Sequence, residues 1–472
     1  MNDNRRILNL AFPAILSNIT VPLLGLSDTA IAGHLGAPVY LASMSVGAAM
    51  INLSFWLFGF LRMGTTGLTA RAYGRDDSRA LSDLFCRSLF WGAAIGVLLM
   101  LFSGFLGDIL LRMLSPGAQV GEGASLYYRY CIMAAPAQLG IMAMSGWMVG
   151  MQSTFWPMVV AISTNIVNIP LSLFLVFVCG HGFAGLAAGT CVAQWVGALL
   201  AFIFCLRLWK VRMTRRVNGP KVKSEELIPL LSGFRNLWRS AGEGNFFGVN
   251  IYLFFRSAAL IAILMGMTAF AGRNGEMALA VNAVILQFFY FFSYFMDGFA
   301  YAAEALTGKL AGSGQREGLR KMVGHLLGWC GVMVLIFTLL YITAGKEIVS
   351  LLTDSDAVAA GVKEMGWVLY LLPAVSVGAF IYDGIFIGLS RTGWMLVSTL
   401  TAAVLFYIVN LTGLRSIMEN YPSLQTLNGN EVVWIGFLGA LLLRGLILAL
   451  AYPRVVAGSV TQILQENKNS EK

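Results

Sequence analysis

Charge is what this sequence has least of. Only 12% of its 472 residues are Asp, Glu, Lys or Arg, where a soluble globular chain carries roughly a quarter. That scarcity excludes an ordinary water-exposed surface. The six cysteines, Cys86, Cys131, Cys179, Cys191, Cys205 and Cys330, include no C-x-x-C pair. They read as small packing residues, neither a disulfide framework nor a metal site. No G-x-x-x-x-G-K-[ST] phosphate loop occurs, so no ATP-driven mechanism is indicated. Segments of about ten residues alternating in polarity are missing too, which excludes a transmembrane β-barrel. No cofactor is expected.

What the sequence has instead is apolar length. Hydrophobic residues make up 58% of the chain and the mean hydropathy is +0.74. Apolar stretches of about 20 residues, enough to cross a hydrocarbon core as a helix, recur from end to end. Twelve are predicted, over 8–32, 39–66, 84–107, 125–150, 156–179, 183–206, 243–268, 277–306, 322–345, 365–389, 394–414 and 431–453. The first follows Arg5 and Arg6 like a signal peptide, but it has no A-x-A cleavage site and reads as a retained span. The fold class is therefore an all-α polytopic membrane protein.

Orientation follows from the basic residues. With the N-terminus inside, Arg5, Arg6, the 71–87 turn, the 207–239 linker, the 309–321 loop, Arg391 and the tail hold 23 of the 32 Lys and Arg. The opposite loops hold only Arg112, Arg273, Lys346, Lys363 and Arg415. The positive-inside rule then places both termini in the cytoplasm of a cell (inner or plasma) membrane. The net charge of +9 is a topology signal, and no nucleic-acid partner is expected. Arg62, Arg129, Arg256 and Arg444 remain in or at the edges of spans.

The basic linker beginning RLWKVRMTRRVNGPKVK at Arg207 divides the chain near its middle. Its flanks resemble each other: TAIAGHLG from Thr29 and TAFAGRNG from Thr268, GLTARAYG from Gly67 and ALTGKLAG from Ala305, GMQSTFWPM from Gly150 and GLSRTGWML from Gly388, Pro136 and Pro373. The expected domains are an N-terminal lobe over 1–206, a linker over 207–242, a C-terminal lobe over 243–453 and a tail over 454–472. Six spans per half insert with the same orientation, giving two six-helix bundles related by a pseudo-twofold axis along the membrane normal. A monomer is the default expectation.

Several polar residues interrupt the spans. In PLLGLSDTAIAGHLG, Asp28 lies near the outer end of the first helix, which also carries Pro13 and Pro22, two positions able to bend it. Burial disfavours an ionised carboxylate, so Asp28 is a candidate proton switch; the competing reading is a static interfacial aspartate. On the fifth span, Asn165, Asn168 and Ser172 share one face, and Thr190 and Gln194 repeat that spacing on the sixth. These line a cavity or join helices by hydrogen bonds. In the second half, Arg256 has three candidate partners, Asp297, Glu304 and Asp383, for an ion pair that couples transport or only holds the bundle.

These stretches, together with FLRMGTTGLTARAYG, SGWMVGMQST, NIVNIPLSLFLVF and MDGFAYAAEALTG, resemble the multidrug and toxic compound extrusion (MATE) transporters, most of all their DNA-damage-inducible protein F (DinF) branch. The resemblance implies alternating access and export of bulky, often cationic or amphiphilic compounds against inward flow of H+ or Na+. It further implies Asp28 as the protonation site, Pro13 as a bending point, and Asn168 and Thr190 as members of an N-lobe polar network. Two departures stand out. Ser172 replaces an aspartate common in the branch, and Arg256 occupies a position where Na+-coupled relatives of another branch carry a glutamate. Both favour H+ over Na+, since a fixed positive charge repels Na+.

Two other functions are weighed against this one. A flippase for a lipid-linked precursor would line its cavity with several basic residues, and few lie within these spans. A membrane-embedded protease is prompted by Tyr382-Asp383, but Phe105-Leu106-Gly107-Asp108 supplies no G-x-G-D partner. No enzyme is expected.

Overall fold

The computed structural model describes residues 3–217, 230–236, 246–413 and 429–470. The described residues are helical and include no strand. The first half comprises α1 (Asp3–Gly33), α2 (Pro38–Trp56), α3 (Phe60–Gly74), α4 (Ser78–Leu101), α5 (Ser103–Leu114), α6 (Ala118–Ile132), α7 (Ala135–Gly150), α8 (Phe155–Leu173) and α9 (Gly182–Val217). The second half comprises α10 (Phe246–Arg273), α11 (Glu276–Gly312), α12 (Arg316–Thr343), α13 (Gly345–Leu352), α14 (Asp356–Glu364), α15 (Gly366–Gly388), α16 (Thr392–Ile408) and α17 (Gly429–Ser470). Among the described residues 11 helices are long and apolar enough to cross a membrane, or 12 when α6 and α7 count as one span bent by 53°. The bend falls just before Pro136, whose missing N–H interrupts the hydrogen-bond ladder.

The internal repeat is carried by packing as well as by sequence. Gly146 and Gly150 of α7 lie so close to α3 that added β-carbons would fall 2.4 Å from the Arg62 carbonyl and 2.5 Å from Thr69. Gly384 and Gly388 of α15 meet α11 in the same way, at 2.5 Å from the Ala300 carbonyl and 2.1 Å from the Thr307 hydroxyl. The glycines and their partners, Arg62 with Ala300 and Thr69 with Thr307, are each 238 positions apart. Small residues allow this backbone approach, which takes over helix association where lipid removes the hydrophobic drive. Both α8 and α16 also end in a π-helical turn, Phe174–Val178 and Val409–Gly413.

The chain divides into two compact units, one of residues 12–246 and one of residues 1–11 with 247–472. The first turns of α1 thus belong with the second half of the chain. Two helices run past expected boundaries. α9 continues to Val217 instead of ending at 206, because its first breaker is the Asn218-Gly219-Pro220 sequence. α17 continues through Pro453 to Ser470, across the expected tail. Within the linker, a 3-10 segment, Leu230–Asn236, docks on α4: Ser82 Oγ donates to the Leu230 carbonyl at 2.6 Å and accepts from the Gly233 N–H at 3.1 Å. The other linker residues from 218, and Arg415, lie outside the described residues.

Candidate functional site

Asp28 is 95% shielded within its unit, at 5% exposure, and its Oδ1 has no hydrogen-bond partner among the described residues. It sits on α1 one turn before Ile31 and Ala32, which pack into an apolar cluster with Tyr127, Cys131, Val176 and Leu186. A carboxylate above such a floor has few polar groups to solvate it. Tyr127 on α6 stands in the electrostatic field of Asp28 and beside Thr190 and Cys131. Asn168 then extends the cluster, donating from Nδ2 to Thr190 Oγ1 at 3.0 Å, while Thr190 donates to the Leu186 carbonyl at 3.2 Å.

Asn165 does something different from its neighbour. Its Nδ2 donates to the Thr20 carbonyl of α1 at 3.0 Å, between Pro13 and Pro22. Both prolines lie inside one continuous helix, and each deprives the carbonyl four residues earlier, Asn9 or Asn18, of its helical donor. Asn165 of α8 therefore holds a helix whose backbone ladder is twice interrupted. Ser172 is fully buried, and a β-carbon on Gly189 would fall 2.3 Å from its Oγ. Its site is filled by the close approach of α9, and Ser172 Oγ has no hydrogen-bond partner among the described residues. Gln194 is half-buried one turn beyond Thr190. Asn168 and Thr190 thus join α8 to α9, while Asp28 stands apart from them with a bare oxygen; Asn165 braces α1 and Ser172 seals α8 to α9.

The second unit contains a charged cluster of another kind. Asp383 on α15 pairs through Oδ2 with both Arg256 on α10 and Arg444 on α17. All three are at least 94% shielded, at 4%, 6% and 6% exposure for Arg256, Asp383 and Arg444. Of the three expected partners of Arg256, Asp383 forms an ion pair with it. Asp297 is half-buried and its field also acts on Arg256. Glu304 is buried, with its carbonyl against Gly388. Two arginines thus share one carboxylate, and a fixed guanidinium repels a metal cation.

Tyr127 and Arg444 were not singled out as site residues by the sequence. Nothing in YYRY marks which tyrosine faces inward. Arg444 carried a usable signal, since an arginine inside an apolar span demands a carboxylate.

Residues 13–174 and 253–412 match the MatE family model. The chain belongs to the MatE family. It is therefore a multi-pass membrane transporter and not an enzyme. The MATE protein is 33% identical over 457 residues to DNA damage-inducible protein F of Escherichia coli K12, covering 96% of this chain and 93% of that protein. Its likeness to the probable multidrug resistance protein NorM of Thermotoga maritima is 27% over 333 residues, or 69% and 65% of the two chains. A multidrug resistance MATE transporter solved in an outward-facing conformation superposes with a TM-score of 0.78 at 18% identity over 97% of each chain. At that identity the likeness carries the fold.

Proposed function

We propose that this MATE transporter is a multidrug-type exporter of the cell membrane, with both termini cytoplasmic, that releases bulky amphiphilic or cationic compounds in exchange for H+. Its transporting units are the two six-helix lobes, and it works as a monomer. The observation that carries the reading is Asp28: a buried carboxylate with a bare oxygen, on a proline-interrupted helix, next to the apolar floor that Ile31 and Ala32 share with Tyr127 and Val176. The relative named for multidrug resistance supports the substrate class.

In the outward-open state Asp28 takes a proton from outside. The neutral acid no longer needs water, so α1 closes on the apolar floor of Tyr127 and Val176 and the lobe expels its substrate. Inside, the proton leaves, the carboxylate again requires water or a cation, and substrate re-enters. Proton and substrate thereby bind in competition, which is the thermodynamic content of antiport. H+ is favoured over Na+ because Ser172 supplies no second carboxylate and the Arg256–Asp383–Arg444 cluster excludes a cation from the other lobe. Those two arginines are also committed to Asp383, which counts against the basic cavity that a flippase for polyprenyl diphosphates needs. Proteoliposomes loaded with a fluorescent cationic dye test this: a pH gradient alone should drive efflux, and efflux driven only by a Na+ gradient would refute the assignment of H+.

A further inference from the structure

An open cleft of about 510 Å³ lies within the second unit, between the first turns of α1 and α12, lined by Asn4, Lys321, Gly324, His325, Gly328, Trp329 and Val332. It belongs to neither polar cluster, and nothing in the transport cycle above uses it. From the geometry of this cleft we infer a binding site for an anionic phospholipid, with the phosphate on Lys321 and an acyl chain along Gly324, Gly328 and Val332.

Three features argue for that occupant. The charge is at one end only: Lys321 is exposed near the start of α12, where Arg316 and Arg320 outnumber Glu317. His325 Nδ1 donates to the Lys321 carbonyl at 2.8 Å, which fixes the ring beside the lysine. The one acid nearby on α1, Asp3, is paired with Arg6 at 3.5 Å. Below the charges the wall is apolar and hollow. An added β-carbon at Gly324 or Gly328 would meet nothing within 4 Å, and the same face continues into Leu335, Ile336 and Leu339, 50–65% exposed. Basic pockets between spans on the cytoplasmic side suit anionic headgroups in this way.

The cleft is also held open by a fixed contact. Trp329 Nε1 donates to Asn4 Oδ1 at 3.3 Å, pinning the start of α1 to α12. A glycine-lined face would equally admit a helix from a second copy, but a twofold contact on this face would bring two Lys321 side chains together at the same depth. Charge decides for the lipid. Its occupancy would brace α1 upstream of Pro13.

The test is native mass spectrometry of the purified, delipidated full chain, titrated with phosphatidylglycerol and with phosphatidylcholine of the same acyl chains. Phosphatidylglycerol should bind at least about fivefold more tightly, the contribution of one cation near a membrane surface. Lys321→Gln should erase that preference. Gly328→Leu should block both lipids while folding normally, because the added side chain enters open space and leucine is a better helix former than glycine. Inorganic phosphate at millimolar concentration should not compete. Equal binding of the two lipids, parent-like binding by both variants, or effective competition by phosphate would each overturn the site. So would a dimer that Gly328→Leu disperses, since the occupant would then be a second copy. The melting midpoint of each variant in phosphatidylcholine confirms that a loss of binding is not a loss of fold.

Discussion

Replacing Asp383 by asparagine leaves Arg256 and Arg444 facing each other across a site from which water is excluded. In the native chain both guanidiniums pair with the same carboxylate oxygen. At an effective dielectric of about 20 and a charge separation of about 4 Å, each attraction is roughly 4 kcal/mol. Desolvation offsets much of it, and removal of one partner from a buried pair costs about 3–5 kcal/mol overall. Spread over a lobe of this size, that is an apparent melting midpoint lower by on the order of 10 °C. Arg444→Met is different, because it leaves the Arg256–Asp383 pair intact and neutral; its cost should be well below that of Asp383→Asn. The double variant should recover part of the loss, since it removes the cation that the asparagine abandons. Unfolding of purified protein followed by tryptophan fluorescence reads all three. An Asp383→Asn protein that melts within a degree of the parent, or a double variant less stable than either single one, would refute the idea that Asp383 is the shared counter-ion.

Other consequences are read more simply. Gly384→Leu should prevent stable assembly, because a β-carbon there would fall 2.5 Å from the Ala300 carbonyl; expression followed by size-exclusion chromatography checks it, with Gly324→Leu as the tolerated control. Asn165→Ala should leave the fold in place, costing about 1 kcal/mol for one hydrogen bond, but should slow dye efflux by releasing α1 at Thr20. Rates in proteoliposomes against the melting midpoint separate the two effects. Asn168→Ala leaves Thr190 without its amide donor and should shift the pH dependence of efflux, whereas a uniformly lower rate with an unchanged profile would limit Asn168 to structure.

Much of this architecture is legible in the residues themselves. Hydropathy alone locates the spans because every backbone group in lipid must be satisfied within its own helix, and the 238-residue spacing in sequence reappears as a spacing of packing contacts at Gly150 and Gly388. Helix ends are less legible: α9 and α17 extend beyond their apolar runs because Leu, Arg, Lys and Gln sustain a helix in water as readily as in lipid. On α8, the three- and four-residue spacing identifies a polar face but not its use. Asn165 turns to the α1 backbone, Asn168 to Thr190 and Ser172 to Gly189, a division set by which neighbour lies opposite each turn. The arginine cluster was half legible, since Arg256 announces a buried partner but three carboxylates were available, and only the packing of α10, α15 and α17 chooses Asp383.

The central claim is that Asp28 holds a proton or makes way for substrate, never both tightly. Proton release from purified protein in weakly buffered detergent, on addition of a cationic dye near neutral pH, tests it most directly. The parent should release protons in proportion to bound dye and the Asp28→Asn protein should bind dye with no release. Equal release from both proteins, or dye binding by the parent with no release at any pH, would contradict the claim and leave Asp28 a structural residue.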